Sequence, residues 1–214
     1  NQIFMKLRIL IASILIATFS FSSCKTREEI TVNKETLLSN LKELSSDAYE
    51  GRGFSKPGNY KAQQYVANKF KELGLNTYSD SSYIQQFEHT FSGRWRQHLF
   101  PIKDAKKDLS NVGDTTVVGG NVIGLIKGTS DKSIVISAHL DHLGIRNGKI
   151  YNGADDDASG TVALFAIAEY FKKNTPKHTL IFAAVDAEEV GMHGSEYFVA
   201  NFKVAKSKIA LISI

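Results

Sequence analysis

The sequence predicts an α/β three-layer sandwich: a central, mostly parallel sheet with helices on both faces. Two observations carry this. From Ser133 onward, short apolar runs alternate with longer amphipathic stretches, the pattern of parallel strands joined by helical crossovers. The polar residues able to do chemistry cluster just after those runs, at strand carboxyl ends, where open α/β sheets build their sites. A chain of 214 residues, 43% hydrophobic and 22% charged, suits about one globular domain.

The elements follow in order. Residues 33–46 read as a helix with Leu37, Leu38, Leu41 and Leu44 on one face. Residues 57–73 read as a second helix: Pro57 suits its first turn, Ala62, Val66, Phe70 and Leu73 form a stripe, and Gly74 stops it. Residues 83–90 and 121–127 read as strands, and the stretch 95–116 is polar without a clear period. Then SIVISA (133–138) is a buried strand. Residues 159–172 form a helix with Val162, Phe165, Ala166, Ala168 and Phe171 apolar. TLIFAAV (179–185) is a second buried strand, 194–202 a helix, and KIALISI (208–214) a third strand. A strand that closes a chain is an unusual natural terminus, and residues stand ahead of Met5. Both suggest a piece of a longer reading frame, so the fold is expected to be truncated at its C-terminal side.

The first residues resemble an export signal. Lys6 and Arg8 precede an apolar run over 9–21, too short for a comfortable membrane span. The run ends in Phe21-Ser22-Ser23-Cys24, which resembles a bacterial lipobox, so Cys24 is the expected lipid attachment site. The expected organisation is upstream residues plus signal over 1–23, a lipid-anchored tether over 24–32, and an incomplete α/β domain over 33–214. The expected location is the cell envelope, with a membrane partner reached through the lipid.

Charge excludes one class of partner. The formal charge is only +4, and two of those charges, Lys6 and Arg8, lie in the segment to be removed. That is too little to argue for nucleic acid. Cys24 is the single cysteine, which rules out an internal disulfide framework and a cysteine-built zinc site. Any metal must be held by His, Asp and Glu.

Those residue types gather in three places. His139-Leu140-Asp141-His142 follows one strand, Asp186-Ala187-Glu188-Glu189 follows the next, and Gly153 to Gly160 (GADDDASG) opens the helix between them. One histidine after a strand is usually a surface or capping residue, an aspartate-rich turn usually caps a helix, and paired glutamates are usually solvated. His142, His178 and His193 are assigned to that ordinary class. Three such clusters at strand carboxyl ends would be a costly coincidence of charge without divalent cations to neutralise them. Imidazole with carboxylate is a zinc-type ligand set.

SAHLDHLG, NGADDDASG and FAAVDAEEVGMHGSEYF resemble the three core motifs of the family-28 metallopeptidases of clan MH, the family of co-catalytic zinc aminopeptidases. The lead-in LSSDAYEGRGFSKPGNYKAQQYVANKFKELGL is also similar. The resemblance spans roughly residues 37–214. It implies two zinc ions per complete chain and peptide substrates. It further implies His139 as a ligand of one zinc, Asp156 as the carboxylate bridging both, Glu189 as a ligand of the second, and Glu188 as general base and acid. Asp141 is implied as the carboxylate that orients His139. The family's remaining Asp and His ligands are expected beyond Ile214, and a cis peptide bond between Asp156 and Asp157 is implied as well. The activity implied is that of an aminopeptidase; the alternatives are a glutaminyl cyclase or carboxypeptidase of the same family, or a surface lipoprotein that keeps the fold for binding alone.

Overall fold

The computed structural model describes residues 31–78, 81–93 and 113–214. The expected export signal, Cys24, most of the expected tether and most of the polar stretch 95–116 lie outside the described residues. The elements are α1 (Lys34–Leu44), a short helical segment Asp47–Arg52, α2 (Pro57–Glu72), β1 (Asn76–Thr77), β2 (Ile84–Phe91), β3 (Thr115–Ile126), β4 (Ser133–His139), β5 (Gly144–Arg146), β6 (Lys149–Tyr151), a π-type turn Ala154–Ala158, α3 (Ser159–Lys173), β7 (Thr179–Val185), α4 (His193–Ala200) and β8 (Ile209–Ser213).

Local chemistry sets the helix ends. Asn33 caps α1 by accepting from the Thr36 N–H at 2.9 Å. Pro57 sits in the first turn of α2, and Gly74, with φ +69°, follows its last turn. Leu37, Leu41 and Leu44 pack inward, but Leu38 is 53% exposed. The 3.6-residue period turns it away from the stripe its neighbours form.

The main sheet runs β1-β3-β7-β4-β8, with β2 pairing along β3. The expected parallel crossovers make its β7-β4-β8 half. The other half is antiparallel, because β3 pairs antiparallel with β1, β2 and β7. The sheet is thus mixed. β3 begins earlier than its apolar run, since its N-terminal half is a hairpin-like partner of β2 down to Phe91↔Thr115. That half alternates exposure instead of being buried on both faces. β8 lies at the edge of this sheet, with Leu211 and Ile212 exposed.

Helices cover both faces. Along β7, Leu180, Phe182 and Ala184 face α1, α2 and α3 together with Val66, Phe70, Val162 and Phe165. Ile181, Ala183 and Val185 face the opposite side, where Phe198 of α4 packs. This strict alternation is the period of two that a strand buried on both faces requires. Gly194 in the first turn of α4 approaches the sheet closely: a Cβ there would lie 2.1 Å from the Asp186 carbonyl oxygen.

The parallel register of β4 and β7 matters most for function. His139 is paired with Val185, so the two strands end side by side. The Leu140 N–H donates to the Val185 carbonyl at 2.8 Å and extends the pairing into the loop. The loops that follow, 140–142 and 186–189, therefore leave the sheet at the same level.

Phe70 joins the layers. It is fully buried, edge-on to Tyr83 and Phe165 and tilted against Phe182. Phe70→Ala should cost about 3–5 kcal/mol of unfolding free energy, the range for a buried aromatic truncated to a cavity. Denaturant unfolding at constant m-value measures it; an unchanged midpoint would show that α2 is not fastened to the sheet through this ring.

Candidate metal centre

The triple aspartate is sorted by its turn. Gly153 enters with φ +53° and the peptide between Asp156 and Asp157 is cis, as the resemblance implied. Asp157 points inward and is buried: one carboxylate oxygen accepts the His139 N–H at 3.0 Å, the other the Gly160 N–H at 2.9 Å. It fastens the turn and the start of α3 to the end of β4. Asp155 is exposed, and its carbonyl accepts the Ser159 hydroxyl at 2.9 Å. Asp156 faces two imidazoles. Its Oδ1 is 3.0 Å from His139 Nε2 and its Oδ2 is 3.9 Å from His142 Nδ1. One carboxylate thus reaches toward two separate nitrogen donors, the placement a bridging ligand needs.

Asp141 is fully buried and ties the two strand-end loops together. Its carboxylate accepts the Glu188 N–H at 3.0 Å and the Glu189 N–H at 3.3 Å. His139 Nδ1 is 3.0 Å from the Asp141 carbonyl oxygen and 3.7 Å from its carboxylate. The ring is therefore oriented by the main chain of Asp141, while the carboxylate supplies charge beside it. That refines the orienting role expected of this residue. Ala187, in the left-handed region at φ +60°, turns the chain so that both glutamate N–H groups meet Asp141.

Glu189 is mostly buried, and its Oε1 lies 2.6 Å from His142 Nδ1. Neither atom has a hydrogen-bond partner. His142, Asp156 and Glu189 each offer a ligand atom within 4.8 Å of the others. The structure thus sets His142 beside Asp156 and Glu189, a placement its sequence did not suggest. His178 stays in the ordinary class, its Nδ1 2.7 Å from the Ser130 hydroxyl, and so does His193, which stacks on His89 at 3.5 Å. Glu188 is half-buried, and its carboxylate takes no hydrogen bond among the described residues.

Two further residues support these loops. Asp186 is fully buried and accepts from Asn59 Nδ2 (2.9 Å), Gln63 Nε2 (3.1 Å), the Gly120 N–H (3.0 Å) and its neighbour's Ala187 N–H (2.9 Å). Arg52, also fully buried, donates to four carbonyls: Leu140 at 2.8 Å, Leu44 at 2.9 Å, Asn152 at 2.6 Å and Gly153 at 2.7 Å. It clamps the lead-in segment to both metal-type loops. Sequence reasoning passed over both, since a lone arginine and an acid beside a more promising pair carry no distinctive spacing.

The electrostatics favour a cation. Burial alone would lower the His139 pKa, but Asp141, Asp157 and Glu188 carry it up to about 9. Burial raises Glu189, with His142 opposing and Asp156 and Asp141 adding to the rise. Burial and then Asp141 push Asp186 up to about 7, against the pull of its hydrogen bonds. Burial lowers Arg52 to about 10, with the surrounding carboxylates holding it up. The carboxylates that raise His139 would also attract a metal dication. The orphaned Nδ1 and Oε1, and a donor set of imidazole nitrogen and carboxylate oxygen, fit zinc.

A cleft of about 270 Å³ opens beside His142 and Glu189, with Phe54, Ile145 and Val190 on its apolar side and Glu50, Lys56 and Arg146 among its polar residues.

The fold is similar to that of solved zinc exopeptidases. The model of peptidase family M28 matches residues 121–212. Among curated proteins it is 25% identical to the alkaline phosphatase isozyme conversion protein of Escherichia coli strain K12, over 78% of this chain and 46% of that protein. The chain therefore spans about half the length of this relative. Among solved structures it is similar to BSAP, a zinc aminopeptidase from Bacillus subtilis, with TM-score 0.63, 14% identity and coverage of 87% of this chain and 70% of that one. It is also similar to a glutaminyl cyclase from Bacteroides thetaiotaomicron, with TM-score 0.59, 19% identity and coverage of 86% and 62%.

These shifts set a pH dependence for the metal-free protein. Asp186 holds its proton to about 7 when folded, against about 3.9 unfolded, so stability falls as pH rises through that window. His139, raised to about 9 from about 6.5, extends the fall above neutrality. The loss between pH 5 and 8 should be on the order of 2–4 kcal/mol in chelator, and smaller with zinc present, because an ion on His139 would take the place of its proton. Urea midpoints across that range measure it, and a midpoint that rises with pH in chelator would refute the field described.

Proposed function

We propose that the protein is a zinc-dependent aminopeptidase that releases N-terminal residues from peptides with two metal ions. The observation that carries this reading is Asp156 lying between His139 and His142, with Glu189 beside the second imidazole and Glu188 next in sequence. His139, Asp156 and Glu189 would hold the metal. When bound, zinc acts as a Lewis acid that polarises a carbonyl and makes water nucleophilic near neutral pH. Glu188 takes a proton from the attacking water and returns it to the leaving amine. Its backbone is fixed through Asp141, and its carboxylate is left uncommitted for that exchange. The cleft beside Glu189 receives a substrate side chain, with Phe54, Ile145 and Val190 excluding water from one wall. A glutaminyl cyclase activity is the second reading, favoured by the likeness to the Bacteroides enzyme. Amino-acyl anilides and N-terminal glutaminyl peptides, offered to the full-length protein, separate the two.

Glu188→Gln in the full-length protein should lower kcat by ~10²–10⁴-fold, the usual cost of losing a general base, and leave the zinc content unchanged. Turnover and metal analysis on one sample test this. A near-normal kcat would remove Glu188 from the mechanism; loss of zinc would make it a ligand instead.

We also propose that the protein is an exported lipoprotein of the cell envelope, anchored through Cys24. The support is the FSSC sequence that closes the apolar run, with no other cysteine in the chain. A tagged fatty acid fed to cells should label the wild type and not Cys24→Ala. An unlabelled wild-type protein would end this reading.

A further inference from the structure

We propose that His142 is a direct metal ligand through Nδ1, sharing with Glu189 and Asp156 one of the ions at this site. The inference rests on the zinc reading above and adds an imidazole to the residues assigned there. His142 is nine-tenths buried, and its Nδ1 faces Glu189 Oε1 at 2.6 Å and Asp156 Oδ2 at 3.9 Å. Buried polar atoms almost always have a hydrogen-bond partner, yet Nδ1 and Oε1 both lack one despite their proximity. The contact is close, but its direction does not suit an N–H···O bond. Lone pairs of a nitrogen and a carboxylate directed at a common point repel unless a cation stands between them.

The ring is held in place before any ion arrives. The His142 N–H donates to the Arg52 carbonyl at 3.2 Å, and the residue forms a parallel bridge with Gly53. On its other side lies Gly153, where a Cβ would come within 2.4 Å of the imidazole Cγ. The turn that presents Asp156 is thus shaped around this imidazole. Arg52 locks both walls of the slot, through Leu140 on one side and Asn152 and Gly153 on the other. Zinc bonds to nitrogen and oxygen run about 2.0–2.2 Å, so two ligands of one ion stand farther apart than the present contact. Glu189, the less confined partner, turns slightly on loading.

The test uses the full-length protein with zinc and then cobalt as probes, in the wild type, His142→Gln and His142→Ala. Zinc affinity is read by chelator competition, the coordination sphere by the visible spectrum of the cobalt form, and the imidazole count by X-ray absorption at the zinc edge. Direct ligation predicts that one ion binds at least ~100-fold more weakly, beyond the ~10–100-fold of an outer-shell change. It also predicts an altered cobalt spectrum and one imidazole fewer at the metal. Circular dichroism and the metal-free unfolding midpoint should match wild type in His142→Gln, which keeps the slot filled. Variants with wild-type affinity and spectrum would overturn the proposal. So would a moderate loss of affinity with an unchanged spectrum and imidazole count, which would make His142 a hydrogen-bonding neighbour of Glu189. A wild-type protein that takes up no zinc would instead defeat the zinc reading itself, and this inference with it.

Discussion

Hydrogen bonds from main-chain N–H groups to buried carboxylates hold this end of the molecule together. Asp141, Asp157 and Asp186 are all buried, and each crosses between segments distant in sequence. Asp157 joins the 154–158 turn to β4, Asp141 joins the β4 loop to the glutamate pair, and Asp186 joins the end of β7 to α2 and β3. A buried carboxylate without partners would cost several kcal/mol and unmake the site. Charge-assisted bonds contribute about 1.5–3 kcal/mol each and make burial tolerable. The outcome is a division of labour among like residues. The inward acids are spent on architecture, which leaves the carboxylates of Asp156, Glu188 and Glu189 without main-chain donors among the described residues.

Arg52 completes that arrangement. Among the described residues it is the fully buried cation, and it bonds to carbonyls and not to any carboxylate. Its charge is therefore not consumed by one partner. It acts at a distance on Asp141, Asp157, Asp156 and Glu189 together, which lowers the cost of gathering them. The same fork fixes three loops in space, which a lysine, as a point charge on a flexible stem, would not do.

Much of this was legible in the sequence. The runs 133–138 and 179–185 are strands because a parallel sheet covered on both faces writes itself as unbroken apolar residues. The motifs fall at strand ends because the crossover geometry puts them there. Among the three aspartates, residue pattern alone left the candidate ligand open and the family resemblance pointed to Asp156; the turn exposes Asp156 and buries Asp157. What stayed hidden depends on distant pairing. The early start of β3 comes from β2, and the place of His142 beside Glu189 from a slot made by Gly53 and Gly153. No local period encodes these, because each is set by a partner far away in the chain.

The edge strand β8 has a practical meaning. It presents Leu211 at 67% and Ile212 at 49% exposure on a strand whose outer side has no neighbour among the described residues. Its sequence IALIS carries no charge, proline or bulge of the kind that protects natural edges. A recombinant product limited to these 214 residues would therefore behave as a sticky template in solution. Leu211→Lys would place a charge on this edge, the device by which natural edge strands resist pairing.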